Sequence, residues 1–168
     1  MAARFTLRTG DDLRRISREL RRIDDPELKK RFRKELRKSA APFVPLIRNS
    51  IRQIPSKRPY TPAGLRGRLS KATRIETRTV GKDAGVAIRV DGRRMPDGEK
   101  RLPSLMEGAG VRRGRRVDTR WRHPVFGNRE VWVQQDSHPY FFRVVDGAGA
   151  AGRVAAARVV DSITRDIR

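Results

Sequence analysis

A chain of 168 residues with 36% hydrophobic and 36% charged positions suits one domain with a modest core, and 41 Lys and Arg against 19 Asp and Glu give it a net charge of +22. It holds no cysteine, which excludes a disulfide framework, a thiolate nucleophile and thiolate metal ligands, and its two histidines are too few to build a metal site by themselves. No stretch has the apolar length of a signal-peptide core or a membrane span, so no membrane partner is expected and the chain reads as working in a cytoplasm-like compartment.

The charge is uneven: +11 over residues 1–58, +10 over 59–128 and +1 over 129–168. The cations therefore belong to particular surfaces, and such surfaces attract polyanions, of which nucleic acid is the commonest.

In chain order, Leu13, Ile16, Leu20 and Ile23, then Leu28, Phe32, Leu36, Phe43, Ile47 and Ile51, recur at spacings of mostly three and four, which is helical periodicity. Thr9-Gly10-Asp11-Asp12 and Asp25-Pro26 supply two helix starts, so a basic helical region is expected over 9–54 with a break near Asp24 and Asp25. Pro42 and Pro45 predict a kink between Ala40 and Leu46. The proline-rich 54–62 predicts an extended loop, and a short helix is expected over 63–72. Alternation over 74–80 and 86–90 around Gly81-Lys82-Asp83-Ala84-Gly85 predicts a β-hairpin. Residues 91–120 lose any pattern except a short helix at 104–108. They read as a flexible arm inside a 63–135 sheet region, carrying Arg93, Arg94, Arg112, Arg113, Arg115 and Arg116 toward DNA or an acidic partner. A third strand is expected over 129–135, and a C-terminal helix within 139–167 with Ala148, Ala151, Ala155, Val159, Ile163 and Ile167 along one stripe.

Both tryptophans fall close together with most of the aromatic mass of the C-terminal half. In a chain only 6% aromatic, Trp121, Phe126, Trp132, Tyr140 and Phe141 are expected to form core and subunit contacts. The fold expected is a single α+β domain over 1–168: basic N-terminal helices, a small antiparallel β-sheet, and a C-terminal amphipathic helix packed on the sheet.

The basic helical pair, Gly64-Leu65-Arg66-Gly67-Arg68-Leu69 before a hairpin, a Gly-rich arm, His123-Pro124-Val125-Phe126-Gly127 with Trp132, Pro139-Tyr140-Phe141 and the final helix follow in a telling order. That order resembles the tail-completion, or minor tail, family of long-tailed double-stranded DNA bacteriophages over nearly the whole chain. Many members carry an aromatic-Gly-Thr step after an acidic residue where this chain has Met106-Glu107-Gly108-Ala109-Gly110. The resemblance implies a structural virion protein at the head-tail interface, forming a homo-oligomeric ring, a hexamer by preference, around the DNA channel. It implies connector and tail proteins and packaged double-stranded DNA as partners, a place in the phage neck or tail after assembly in the host bacterial cytoplasm, and no cofactor.

Catalysis is not expected. Asp136-Ser137-His138 gathers the residue types of a hydrolytic triad, but adjacent side chains diverge and cannot form the relay. Glu107 and Asp118 flank the arginine-rich stretch without the further spaced acid that a nuclease site needs, and 64–68 lacks the Lys-Ser/Thr ending of a phosphate-cradling loop. Two alternatives stand beside the first reading: a tail terminator or head-closure connector, and a free-standing, sequence-nonspecific nucleic-acid-binding protein that lays its basic helices on phosphates.

Overall fold

Asp25 shows how closely local chemistry sets the helix starts. In the computed structural model its carboxylate accepts the backbone N–H of Glu27 at 2.9 Å and of Leu28 at 3.0 Å, and Pro26 sits in the first turn, where a missing donor costs nothing. The structure describes residues 4–7, 18, 22, 25–78, 85–97, 99–108, 110–113, 116–118, 120–125 and 128–167. In order these form β1 (Arg4–Leu7), α1 (Pro26–Ala40), α2 (Phe43–Arg52), α3 (Leu65–Ala72), β2 (Thr73–Arg78), β3 (Gly85–Val90), a 3-10 turn (Gly92–Arg94) and α4 (Leu102–Met106). There follow β4 (Gly110–Arg113), β5 (Arg116–Asp118), β6 (Arg120–Val125), β7 (Asn128–Asp136) and α5 (Phe142–Ile167). The architecture is α+β. The helix expected over 13–23 and its start at 9–12 lie outside the described residues, apart from Arg18 and Arg22, which are helical.

At Pro42 the helical region breaks into two helices, with Pro45 in the first turn of α2 among the backbone donors that lack an intrahelical acceptor anyway. Phe32, Leu36 and Ala40 of α1 and Phe43, Ile47 and Ile51 of α2 turn inward at the spacing of a helix face. They meet Val86, Ile88 and Val90 of β3, Leu69 of α3, Tyr140 and Phe141, and Val145, Val160 and Ile163 of α5 in one core. Full burial of each large aliphatic or aromatic side chain there stabilises the fold by about 1.5–3 kcal/mol.

The sheet is antiparallel in the order β1-β3-β2. In register, Ile75 pairs with Ile88 and Thr77 with Val86, which puts the apolar residues of β2 and β3 on one face, while Arg74 pairs with Arg89 on the other. The third strand is β1, with Phe5 opposite Ile88 and Leu7 opposite Val86. This corrects the expectation that 129–135 completes the sheet, because β7 pairs with β6 in a separate two-stranded hairpin. The turn between β2 and β3, 79–84, lies outside the described residues.

Two further expectations need correction. Residues 91–108 are not a patternless arm: Asp91, Met95, Pro103, Ser104, Met106 and Glu107 are buried, and a Cβ on Gly92 would collide with the Lys100 carbonyl, so the backbone there is closely packed. Past Gly108, β4 and β5 pair with each other in antiparallel register. The buried stripe of α5 is Val145, Gly152, Ala156, Val160 and Ile163, whereas Ala151 is exposed and Ala155 and Val159 are half-buried. Ile163 is buried as expected, and upstream of it the buried positions are displaced by one because α5 packs against α1, α2 and the β1 edge together, which sets its rotation.

Candidate assembly surface

Between the core and the C-terminal half stands one buried carboxylate. Glu107 follows α4, and its Oε2 accepts the backbone N–H of Tyr140 at 3.0 Å and of Phe141 at 2.9 Å while its Oε1 accepts that of Phe142 at 2.8 Å. These are donors at the start of α5, so a side chain 35 residues upstream caps a 26-residue helix and places its charge at the helix's positive end. Burial pushes the Glu107 carboxyl above its ordinary range, the three N–H groups pull it back, and Asp146 adds to the upward push. Tyr140 is fully buried and its hydroxyl donates to the Pro103 carbonyl at 3.0 Å. Burial, with the Glu107 carboxylate beside it, pushes that phenol far up, so it stays a donor.

The same segment clamps the root of the β6–β7 hairpin. Ser137 Oγ donates to the Leu105 carbonyl at 3.1 Å and the His138 N–H donates to the Met106 carbonyl at 2.8 Å. From that root the two strands run out packed chiefly on each other. Arg120 pairs in register with Asp136, Arg122 with Gln134 and Pro124 with Trp132, and the register shifts between Pro124 and Val125. One face carries the Arg120–Asp136 ion pair at 3.4 Å and the Arg122 guanidinium over the Trp132 ring at 6.0 Å. Val131, Trp132 and Val133 are 51%, 48% and 37% exposed.

The structure therefore divides the aromatic block. Tyr140 and Phe141 are core, whereas Trp132, expected in core or subunit contacts, lies outside the core on the hairpin. Trp121 lies on β6 in register with Gln135, and Phe126 is outside the described residues. Among the arginines, Arg93 and Arg94 are exposed at the 3-10 turn, Arg112 and Arg113 lie on β4, and Arg116 lies on β5 opposite Arg113. Arg115 is outside the described residues.

Three further features remain, of which the sequence predicts the basic face of α1 but not the other two. On α1, Lys30 and Lys38 pair with Glu27 and Glu35 at 3.5 Å and 2.7 Å, while Arg33, Lys34 and Arg37 are exposed beside them. On the sheet face away from the core, Asp91 Oδ2 bridges Arg74 at 2.7 Å and Arg89 at 3.2 Å. Burial alone would raise the Asp91 carboxyl, but the Arg93 N–H and the guanidiniums of Arg89 and Arg74 outweigh it and hold the group below its ordinary range. The third is a cleft of about 520 Å³ beside the proline-rich loop, lined by Ile54, Leu65, Met106, Arg58, Arg66 and Arg68 among others. Arg66 staples that loop by donating to the carbonyls of Arg52, Ile54 and Arg58, and it lies with Arg52 against the Tyr60 ring. The periodic spacing of 54–62 gives no hint of this, since the partners are carbonyls, which every residue type has.

Asp136, Ser137 and His138 all serve the hairpin root, through the ion pair and the two hydrogen bonds already described. Among the described residues no group of three or more His, Asp or Glu side chains could hold a metal ion, and no helix is long and apolar enough to cross a membrane. No protein-family model, no curated protein and no solved structure matches the chain.

Proposed function

We propose that this chain is a structural assembly protein of a tailed bacteriophage, a tail-completion component that acts at the head-tail interface as a homo-oligomeric ring around the DNA channel. The observation that carries the reading is the β6–β7 hairpin. Its root is fixed by hydrogen bonds to 105–106, yet it presents Val131, Trp132 and Val133 to solvent away from the core. A small chain gains nothing in stability from exposing its largest side chain on a braced projection; the arrangement suits a surface that a neighbour covers.

The place of assembly comes from the resemblance in layout, which favours a hexamer, connector and tail proteins as neighbours, and the virion neck as the location. The +22 charge fits a subunit beside packaged double-stranded DNA, with Arg93, Arg94, Arg112, Arg113, Arg115 and Arg116 as the candidate phosphate contacts. A tail terminator or head-closure connector would share this position and chemistry. One observation favours a second class, a free-standing nucleic-acid-binding protein: the outward Arg33, Lys34 and Arg37 of α1 form a ridge that suits phosphates. That reading requires tight, steeply salt-dependent DNA binding by the isolated monomer.

Electron microscopy of lysates from a phage lacking the gene separates the two. Free filled heads and free tails, converted to joined virions when the purified protein is added, support the junction role. Normal joined particles without the protein discard it and leave the nucleic-acid reading.

A further inference from the structure

Two apolar features of the described chain match each other. The cleft beside the proline-rich loop has an apolar floor of Ile54, Leu65 and Met106, with Arg58 exposed at its edge. Its volume of about 520 Å³ lies within the range that accommodates a drug-sized group. The walls are held in advance: Arg66 ties the end of α2 at Arg52 to two carbonyls of the loop, Arg68 is locked to Glu99 at 2.7 Å, and Gly67 lets α3 approach the Pro62 carbonyl where any Cβ would collide. A preformed site of this kind loses little freedom when it is filled.

On the hairpin, Trp132 is the apolar knob, and Glu130, two residues away along β7 in the stretch where the register with β6 shifts, is also exposed. An indole in the cleft with a carboxylate beside it would set Glu130 against the Arg58 edge, matching apolar surface to apolar surface and charge to opposite charge. Among the described residues, none from the hairpin of the same chain lines the cleft. We infer that the cleft receives the Trp132 knob of a second copy of this chain. We take the contact as head-to-tail, the knob of each copy in the cleft of the next, which makes a ring where the rotation closes; a reciprocal pair using the same two surfaces would stop at a two-fold dimer. This deepens the proposed function by naming the subunit contact, and it rests on that reading only for where the assembly acts.

The chain contains no cysteine, so introduced thiols report alone. Arg58→Cys, Glu130→Cys and the double variant, each made in the full chain, are treated with a short bis-maleimide and separated under denaturing conditions. The contact predicts a ladder of dimers, trimers and larger species from the double variant, dimers only from a mixture of the two single variants, and monomer from each single variant alone. Adding Trp132→Ala to the double variant should abolish the ladder while circular dichroism stays unchanged. Dimers from Glu130→Cys alone would mean that hairpins meet symmetrically and would overturn the inference. So would a link closed within one chain, a ladder that survives Trp132→Ala, or a wild-type protein that sediments as a monomer at its highest soluble concentration. A ladder combined with normal head-tail joining in the absence of the gene would keep the contact and discard the junction role; lost joining without a ladder would do the reverse.

Discussion

The Glu107 carboxylate accepts the Phe142 N–H at 2.8 Å, and through that bond and its two companions at Tyr140 and Phe141 the end of α4 sets where α5 begins. Glu107→Ala leaves three backbone donors without their acceptor, each costing about 1–3 kcal/mol when buried, so a loss of roughly 3 kcal/mol or more is expected. Glu107→Gln keeps the shape but turns an amide N–H₂ toward a donor, and should fall between wild type and Ala. Urea unfolding checks the order; equal midpoints for all three proteins would deny the cap its role.

Trp132 and Tyr140 should respond to mutation to different degrees. Trp132→Ala removes a side chain that is already 48% exposed, so its effect on unfolding should stay under about 1 kcal/mol. Tyr140→Phe strands the Pro103 carbonyl in a fully buried site and should cost about 1–3 kcal/mol. Thermal denaturation of both variants decides; a Trp132→Ala protein that unfolds, as its aromatic mass alone would suggest, contradicts the exposed hairpin.

Asp91 gives the stability an acid limb. Its folded carboxyl titrates below the ordinary value of 3.8, so its contribution is fully present above that pH and is lost as pH falls through the lower folded value. Asp91→Asn should be less stable by about 1–3 kcal/mol at neutral pH, through weakened bonds to Arg74, Arg89 and the Arg93 N–H. It should also show a shallower decline below pH 4, the region set by the same lowered titration. Urea midpoints measured from pH 6 to pH 3 should therefore converge for the two proteins; parallel curves would refute the assignment.

Replacing Arg112, Arg113, Arg115 and Arg116 together with Ser should leave the fold intact, with an unchanged circular dichroism spectrum. Head-tail joining should nonetheless fall. Unchanged infectivity would remove β4–β5 from the mechanism.

What the sequence made legible was local. α1 could be read because Asp25-Pro26 caps it and Phe32, Leu36 and Ala40 repeat at four, and β2 and β3 because their apolar residues alternate. β1 escaped because four residues, Arg4-Phe5-Thr6-Leu7, are too few to show a period and gain their meaning from pairing with β3. Residues 91–108 looked like an arm because what orders them acts at long range: a carboxylate capping a helix 35 residues away, a tyrosine hydroxyl on Pro103, and Gly92 against Lys100. The hairpin was misplaced for the opposite reason, since β7 alternates like a sheet strand yet takes β6 as its partner outside the sheet. Aromatic mass marked Tyr140, Phe141 and Trp132 alike, and composition cannot say that two fill the core while the third faces outward.

The central claim, that the exposed hairpin drives assembly at the junction, is tested most directly by reconstitution. Separated heads and tails from a phage lacking the gene are mixed with purified wild-type protein or with Trp132→Ala of matched stability, and infective particles are counted. Restoration by wild type and a loss of tenfold or more with Trp132→Ala, the effect of removing about 1.4 kcal/mol or more from each contact, is the predicted result. Equal titres from the two proteins would contradict it.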